Sequence, residues 1–130
     1  MIYSLLVMSS PASGLCAMTA ARFARGVLAR GHSIKRVFFL DAGTLSGSAA
    51  AVFPQDEANR LQPWVELAEE HSVELILCIA SALKYGMLDE SEARRHERSA
   101  TTVHPAFTVS GLGQLVEAAT ASDRLVTFGG

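Results

Sequence analysis

The sequence is short of nearly every feature that marks a specialised class. It has two cysteines, Cys16 and Cys78, too few for a disulfide framework or a cysteine-built zinc site. Its longest unbroken apolar run, residues 75–80, falls far below the about 20 residues a membrane-spanning helix needs. No Lys or Arg precedes Arg22, so the apolar stretch 1–8 lacks the charged start of a secretory signal. Neither charge dominates: 11 basic side chains against 13 acidic ones give −2. That balance offers no general footprint for nucleic acid or an anionic membrane. The G-x-x-x-x-G-K-[ST], G-x-G-x-x-G and G-x-S-x-G patterns are all missing, which removes the usual signals for nucleotide binding and for a serine nucleophile. His32, His71, His96 and His104 show no metal-ligand spacing. These absences lead to the expectation of a cytoplasmic protein with reduced thiols, where a notable cysteine is more often chemical than structural.

What is present is an apolar, foldable chain. Hydrophobic residues make up 49% and charged residues 18%, which excludes intrinsic disorder. The length of 130 residues fits one domain, taken as 1–130, at roughly 100–200 residues per domain.

Residues 2–8 are apolar but for Ser4, as in a strand buried on both faces, and the turn residues 9–14 end it. Residues 15–30 read as a helix with Ala20, Phe23, Ala24, Val27 and Leu28 on its apolar side, stopped by Gly31. A second strand follows at 34–40. Residues 41–57, rich in Gly, Ser and Ala, have room for a short helix in a long loop. Asp56 is expected to cap a helix reaching His71, with Pro63 delaying regular structure to about Gln62. A third strand is expected at 74–79, a short charged helix at 89–98 and a fourth strand at 106–109. Ser110 is then expected to cap a helix whose Leu112, Leu115, Val116 and Ala119 follow the i, i+3, i+4, i+7 template. A last strand occupies 124–128. Alternating strands and helices predict an α/β layer fold with a mostly parallel sheet of about five strands.

In open parallel sheets, ligands bind beyond the carboxyl ends of the strands, which singles out the segments after Met8, Leu40 and Ile79. Cys78 lies near the end of the third strand, before the small and then basic run Ala80-Ser81-Ala82-Leu83-Lys84. Backbone N–H groups and a cation at such an edge favour a nucleophilic thiolate. The competing reading is a buried core cysteine, since free Cys is among the most buried residue types. Cys16, in the first turn of the first helix, has the same chemical argument from the helix dipole and the same competing one. Spacing leaves both open, and a Cys16–Cys78 pair with them. The strand-to-helix loop 9–14 is a third candidate, for a phosphate or flavin.

Four stretches, in this order, resemble the DsrE/TusD sulfur-relay family. They are Arg36-Val37-Phe38-Phe39 after Gly31-His32; Leu77-Cys78-Ile79-Ala80-Ser81-Ala82-Leu83-Lys84-Tyr85-Gly86; Asp89-Glu90-Ser91-Glu92-Ala93; and Ser110-Gly111-Leu112-Gly113-Gln114-Leu115, running on to Asp123-Arg124-Leu125-Val126. The likeness spans nearly the whole chain and is weakest across residues 41–56. It implies a three-layer α/β/α fold and a sulfurtransferase subunit in which Cys78 carries sulfur as a persulfide. Cys16 has no counterpart in a family motif. The resemblance implies no metal or organic cofactor. It implies a hetero-hexamer with two related small subunits (TusB/TusC-like or DsrH/DsrF-like), a TusA-like sulfur donor and a TusE/DsrC-like acceptor, without direct contact to nucleic acid or membrane. One branch of the family ends at 2-thiouridine in the tRNA wobble position, the other in dissimilatory sulfur oxidation. The expected role is the first.

Overall fold

A computed structural model describes residues 1–129. Five strands form one sheet: β1 (Ile2–Val7), β2 (Ser33–Phe39), β3 (Glu74–Cys78), β4 (Phe107–Ser110) and β5 (Arg124–Phe128). Their order is β4-β3-β2-β1-β5, and every neighbouring pair is parallel. Parallel strands need crossover connections. These are supplied by α1 (Cys16–Ala29), α2 (Gln62–His71), a route through α3 (Ile79–Lys84) and α4 (Glu90–Arg95), and α5 (Gly113–Ala121).

The two faces of the sheet are covered unequally. On one face Leu5, Val7, Val37, Phe39, Leu75, Leu77 and Phe107 join Ala20, Ala24 and Val27 of α1 and Trp64, Val65 and Leu67 of α2 in the main core. Trp64 meets Phe39 edge-on with ring centroids 5.0 Å apart. The opposite face carries a small cluster, Phe38, Ile76 and Cys78, with Leu6, Leu40 and Leu115 packed against it. Leu115, from α5, is the one of these six that comes from outside the strands and their ends. Arg36 also lies on this face and is buried. A buried guanidinium is stable only when paired. Its Nε donates to the Glu74 carboxylate, its second nitrogen donates to the Gln114 carbonyl of α5 at 2.8 Å, and its third lies 3.8 Å from the Glu117 carboxylate.

Several expectations from sequence are corrected. The α2 entry is bonded by Asn59, whose Oδ1 accepts from the N–H groups of Leu61 and Gln62; Asp56 lies too far upstream. Ser110 ends β4 and does not cap α5, whose first turn has no side-chain cap. Of the apolar template on α5 only Leu115 packs against the core: Leu112 and Val116 are 54% and 63% exposed, Ala119 is exposed, and Ala118, outside the template, is the buried position. This helix packs on β2, β1 and β5 through a narrow stripe and leaves the rest of its surface to solvent. The third strand stops at Cys78, and Ile79, expected in that strand, opens α3 together with the small and then basic run 80–84. Six residues are too few for periodicity to show.

Candidate active site at the carboxyl edge

The carboxyl ends of β1, β2 and β3 converge with a 3-10 segment, Asp41–Gly47, which follows β2. The segment is held close. Leu40 N–H donates to the Val7 carbonyl at 2.9 Å, and a Cβ added at Gly43 would lie 2.1 Å from that same oxygen. Only glycine fits this approach. Asp41 has a left-handed backbone, φ 51°, an uncommon conformation for a residue with a Cβ. Two side chains hold it there: Asp41 N–H donates to Ser81 Oγ at 3.0 Å, and Thr44 Oγ1 donates to the Asp41 carbonyl at 2.8 Å. Both Ser81 and Thr44 are buried.

Cys78 is the last residue of β3 and the N-cap residue of α3, with extended backbone (φ −62°, ψ 121°). Strand register sets it beside Ser110 of β4. Ser81, three residues on, ties the first turn of α3 to Asp41. The sheet therefore delivers the thiol to the edge where chemistry is expected, at the start of a helix whose first N–H groups lack intrahelical acceptors. The cation expected beside it sits elsewhere, because Lys84 occupies the last turn of α3. The surroundings of the thiol are apolar, and Cys78 is 2% exposed.

Cys16 stands at the start of α1, partly exposed, and both cysteines are free. The pairing left open by the sequence is not formed. The loop 9–14 is occupied by the protein itself: Arg60 donates to the Pro11 carbonyl and, at 2.9 Å, to the Gly14 carbonyl. A cavity of about 470 Å³, lined by Tyr3, Phe23, His32 and two arginines among others, lies at the amino ends of β1 and β2, the opposite end of the sheet from Cys78. The residues that sequence reasoning missed are Ser81 and Arg36. Ser81 looked like turn material, and Arg36 interrupts an apolar strand, which is a signal that it must find partners.

Comparison with known proteins matches the chain to the DsrE/DsrF-like family over residues 1–128. It is 41% identical over 129 residues to a DsrE protein of Allochromatium vinosum, covering 99% of each chain. It is 43% identical to sulfurtransferase TusD of Serratia proteamaculans, over 95% of this chain and 96% of the other, and 42% identical to a sulfurtransferase TusD homolog of Pseudomonas aeruginosa, over 96% and 95%. The crystal structure of the ychN protein from E. coli superposes with a TM-score of 0.78 at 15% identity, covering 98% of this chain and 99% of that one. At that identity the likeness is one of fold, and it agrees with the all-parallel α/β architecture.

Proposed function

The chain belongs to the DsrE/DsrF-like family and is a sulfurtransferase, and from that premise we propose that Cys78 is its sulfur carrier. The single observation behind the reading is the place of Cys78: the carboxyl end of β3 and the N-cap of α3, at the edge where parallel sheets do their chemistry. The Cys78 thiolate attacks the terminal sulfur of a donor persulfide. A Cys78 Sγ–S bond forms, the donor S–S bond breaks, and the donor leaves as a thiolate. An acceptor thiolate then attacks the sulfur held on Cys78 and releases it. Each step is a thiol–persulfide exchange with no net oxidation, so rate depends on thiolate character and access.

The donor is a TusA-like carrier, the acceptor a TusE/DsrC-like protein, and the chain works beside two related small subunits in a cytoplasmic hetero-hexamer. The exposed Leu112 and Val116 of α5 are the apolar surface we assign to subunit contact. The relay ends at 2-thiouridine of the tRNA wobble position, the branch of the family expected from the sequence resemblance. A second reading, a DsrE subunit in sulfur oxidation, is favoured by the match that covers 99% of both chains. The burial of Cys78 favours a third, a non-catalytic assembly subunit.

The test is intact-mass spectrometry after incubation with a persulfide donor, on wild type, Cys78→Ser and Cys16→Ser, with and without co-expressed related subunits. The expected result is a gain of one sulfur atom that needs Cys78 and not Cys16. An unmodified Cys78 in the full assembly would refute the carrier and leave the assembly subunit.

A further inference from the structure

A sulfur carrier must be reached, yet Cys78 is 2% exposed. Something seated over the Phe38–Ile76–Cys78 cluster has to move. Strands cannot leave without breaking the sheet, and Leu6 and Leu40 belong to strand β1 and the end of β2. Leu115, in the first turn of α5, is the remaining member of that packing.

The two halves of α5 are anchored differently. Its C-terminal end is fixed by the buried Ala118, by the Ser4–Ser122 hydroxyl pair at 2.7 Å and by Ile2 N–H donating to Asp123 Oδ2 at 2.6 Å. Its first turn has no side-chain cap, and its flanking Leu112 and Val116 are exposed. The guanidinium of Arg36, two residues before Phe38 on the same strand face, ties this turn to the sheet through the Gln114 carbonyl next to Leu115; Glu117, a turn further on, faces the same guanidinium at 3.8 Å and the half-exposed Lys35 at 3.5 Å. The far side of that guanidinium is held by Glu74 on β3.

We propose that Arg36 is the positioning residue that sets access to the thiol: its hold on Gln114 seats the first turn of α5 and Leu115 against the Phe38–Ile76–Cys78 cluster, and release of that turn opens the cluster and exposes the sulfur. The role assigned to the exposed thiol rests on the carrier reading above; the release itself does not. The exposed Leu112 and Val116 give an incoming subunit or donor a handle on the same turn.

Native alkylation with iodoacetamide, followed by mass spectrometry, tests this, with Cys16 as the internal reference. In Arg36→Met, which removes the buried charge and fills the space of arginine's aliphatic part, the Cys78-to-Cys16 rate ratio rises about tenfold, equivalent to about 1.4 kcal/mol. Arg36→Lys, keeping the charge but gathering its donors on one nitrogen, lies between. Leu67→Ala, in α2 on the other face of the sheet, lowers global stability and leaves the ratio near wild type. An unchanged ratio in Arg36→Met, or an equal rise in Leu67→Ala, would overturn the proposal. Should Arg36→Met fail to fold, Gly113→Ala takes its place: a Cβ there meets open space, the stiffer turn opens less, and the ratio falls about threefold on the helix preference of Ala over Gly. No fall would overturn the proposal equally. A raised ratio without sulfur loading in the assembled complex would uphold the Arg36 latch while refuting the carrier reading.

Discussion

Gly43→Ala is the sharpest test of how the carboxyl edge is built. The new Cβ would lie 2.1 Å from the Val7 oxygen, 2.8 Å from its carbonyl carbon and 3.2 Å from Met8 Cα. The first of these is about 1.4 Å short of the ~3.5 Å at which nonbonded heavy atoms rest. Both sides of the clash are backbone, so no rotamer change relieves it. The 3-10 segment must lift from the end of β1. Leu40 N–H to Val7 O and Asp41 N–H to Ser81 Oγ hold it to β1 and α3, and Gly43 N–H to Leu40 O and Thr44 Oγ1 to Asp41 O brace it internally. Losing two of them at about 1 kcal/mol each, with overpacking strain of about 1–3 kcal/mol, gives roughly 3–5 kcal/mol. The entropy of unfolding, about 2.1 cal/mol/K per residue, is roughly 0.27 kcal/mol/K for 130 residues. Tm should then fall by roughly 11–18 °C. Thermal and urea unfolding followed by far-ultraviolet circular dichroism measure it, with the urea slope unchanged if the native state stays compact. A fall below about 4 °C, or about 1 kcal/mol, would show that the segment yields cheaply and is no rigid support for the site.

Ser81→Ala removes the acceptor of the part-buried Asp41 N–H and should cost about 1 kcal/mol, read by the same unfolding measurements; a loss within ~0.5 kcal/mol, the range of surface substitutions, would mean the hydroxyl does not hold Asp41. The pair Leu112→Ser with Val116→Ser should leave stability within about 0.5 kcal/mol, because both side chains already face solvent. It should weaken co-purification of related subunits, and undiminished recovery of the complex would place the contact elsewhere.

Much of this protein is written locally. Buried parallel strands need continuous apolar runs, so residues 2–8, 34–40 and 74–79 announce themselves, and α1 shows its apolar side over four turns. Periodicity failed where elements are short or lightly covered. Ala80-Ser81-Ala82 carries no mark of a helix, since six residues make less than two turns. The Leu112, Leu115, Val116 and Ala119 template is a genuine amphipathic pattern whose apolar side is largely left exposed. The helix entry assigned to Asp56 is bonded by Asn59 instead, because loop geometry, not residue type alone, decides which side chain reaches a free N–H.

By itself the sequence determined the alternation of strand and helix, the α/β class and two thiols near sheet edges; its ordered resemblance to a sulfur-relay family, rather than spacing, singled out Cys78. Only the tertiary structure decided the order β4-β3-β2-β1-β5, the burial of Arg36 between two strands and α5, the Ser81–Asp41 bond and the apolar enclosure of Cys78. The reason is range. Strand and helix preferences act over a few residues, whereas Arg36 and Gln114 are 78 positions apart, and nothing local records that they meet.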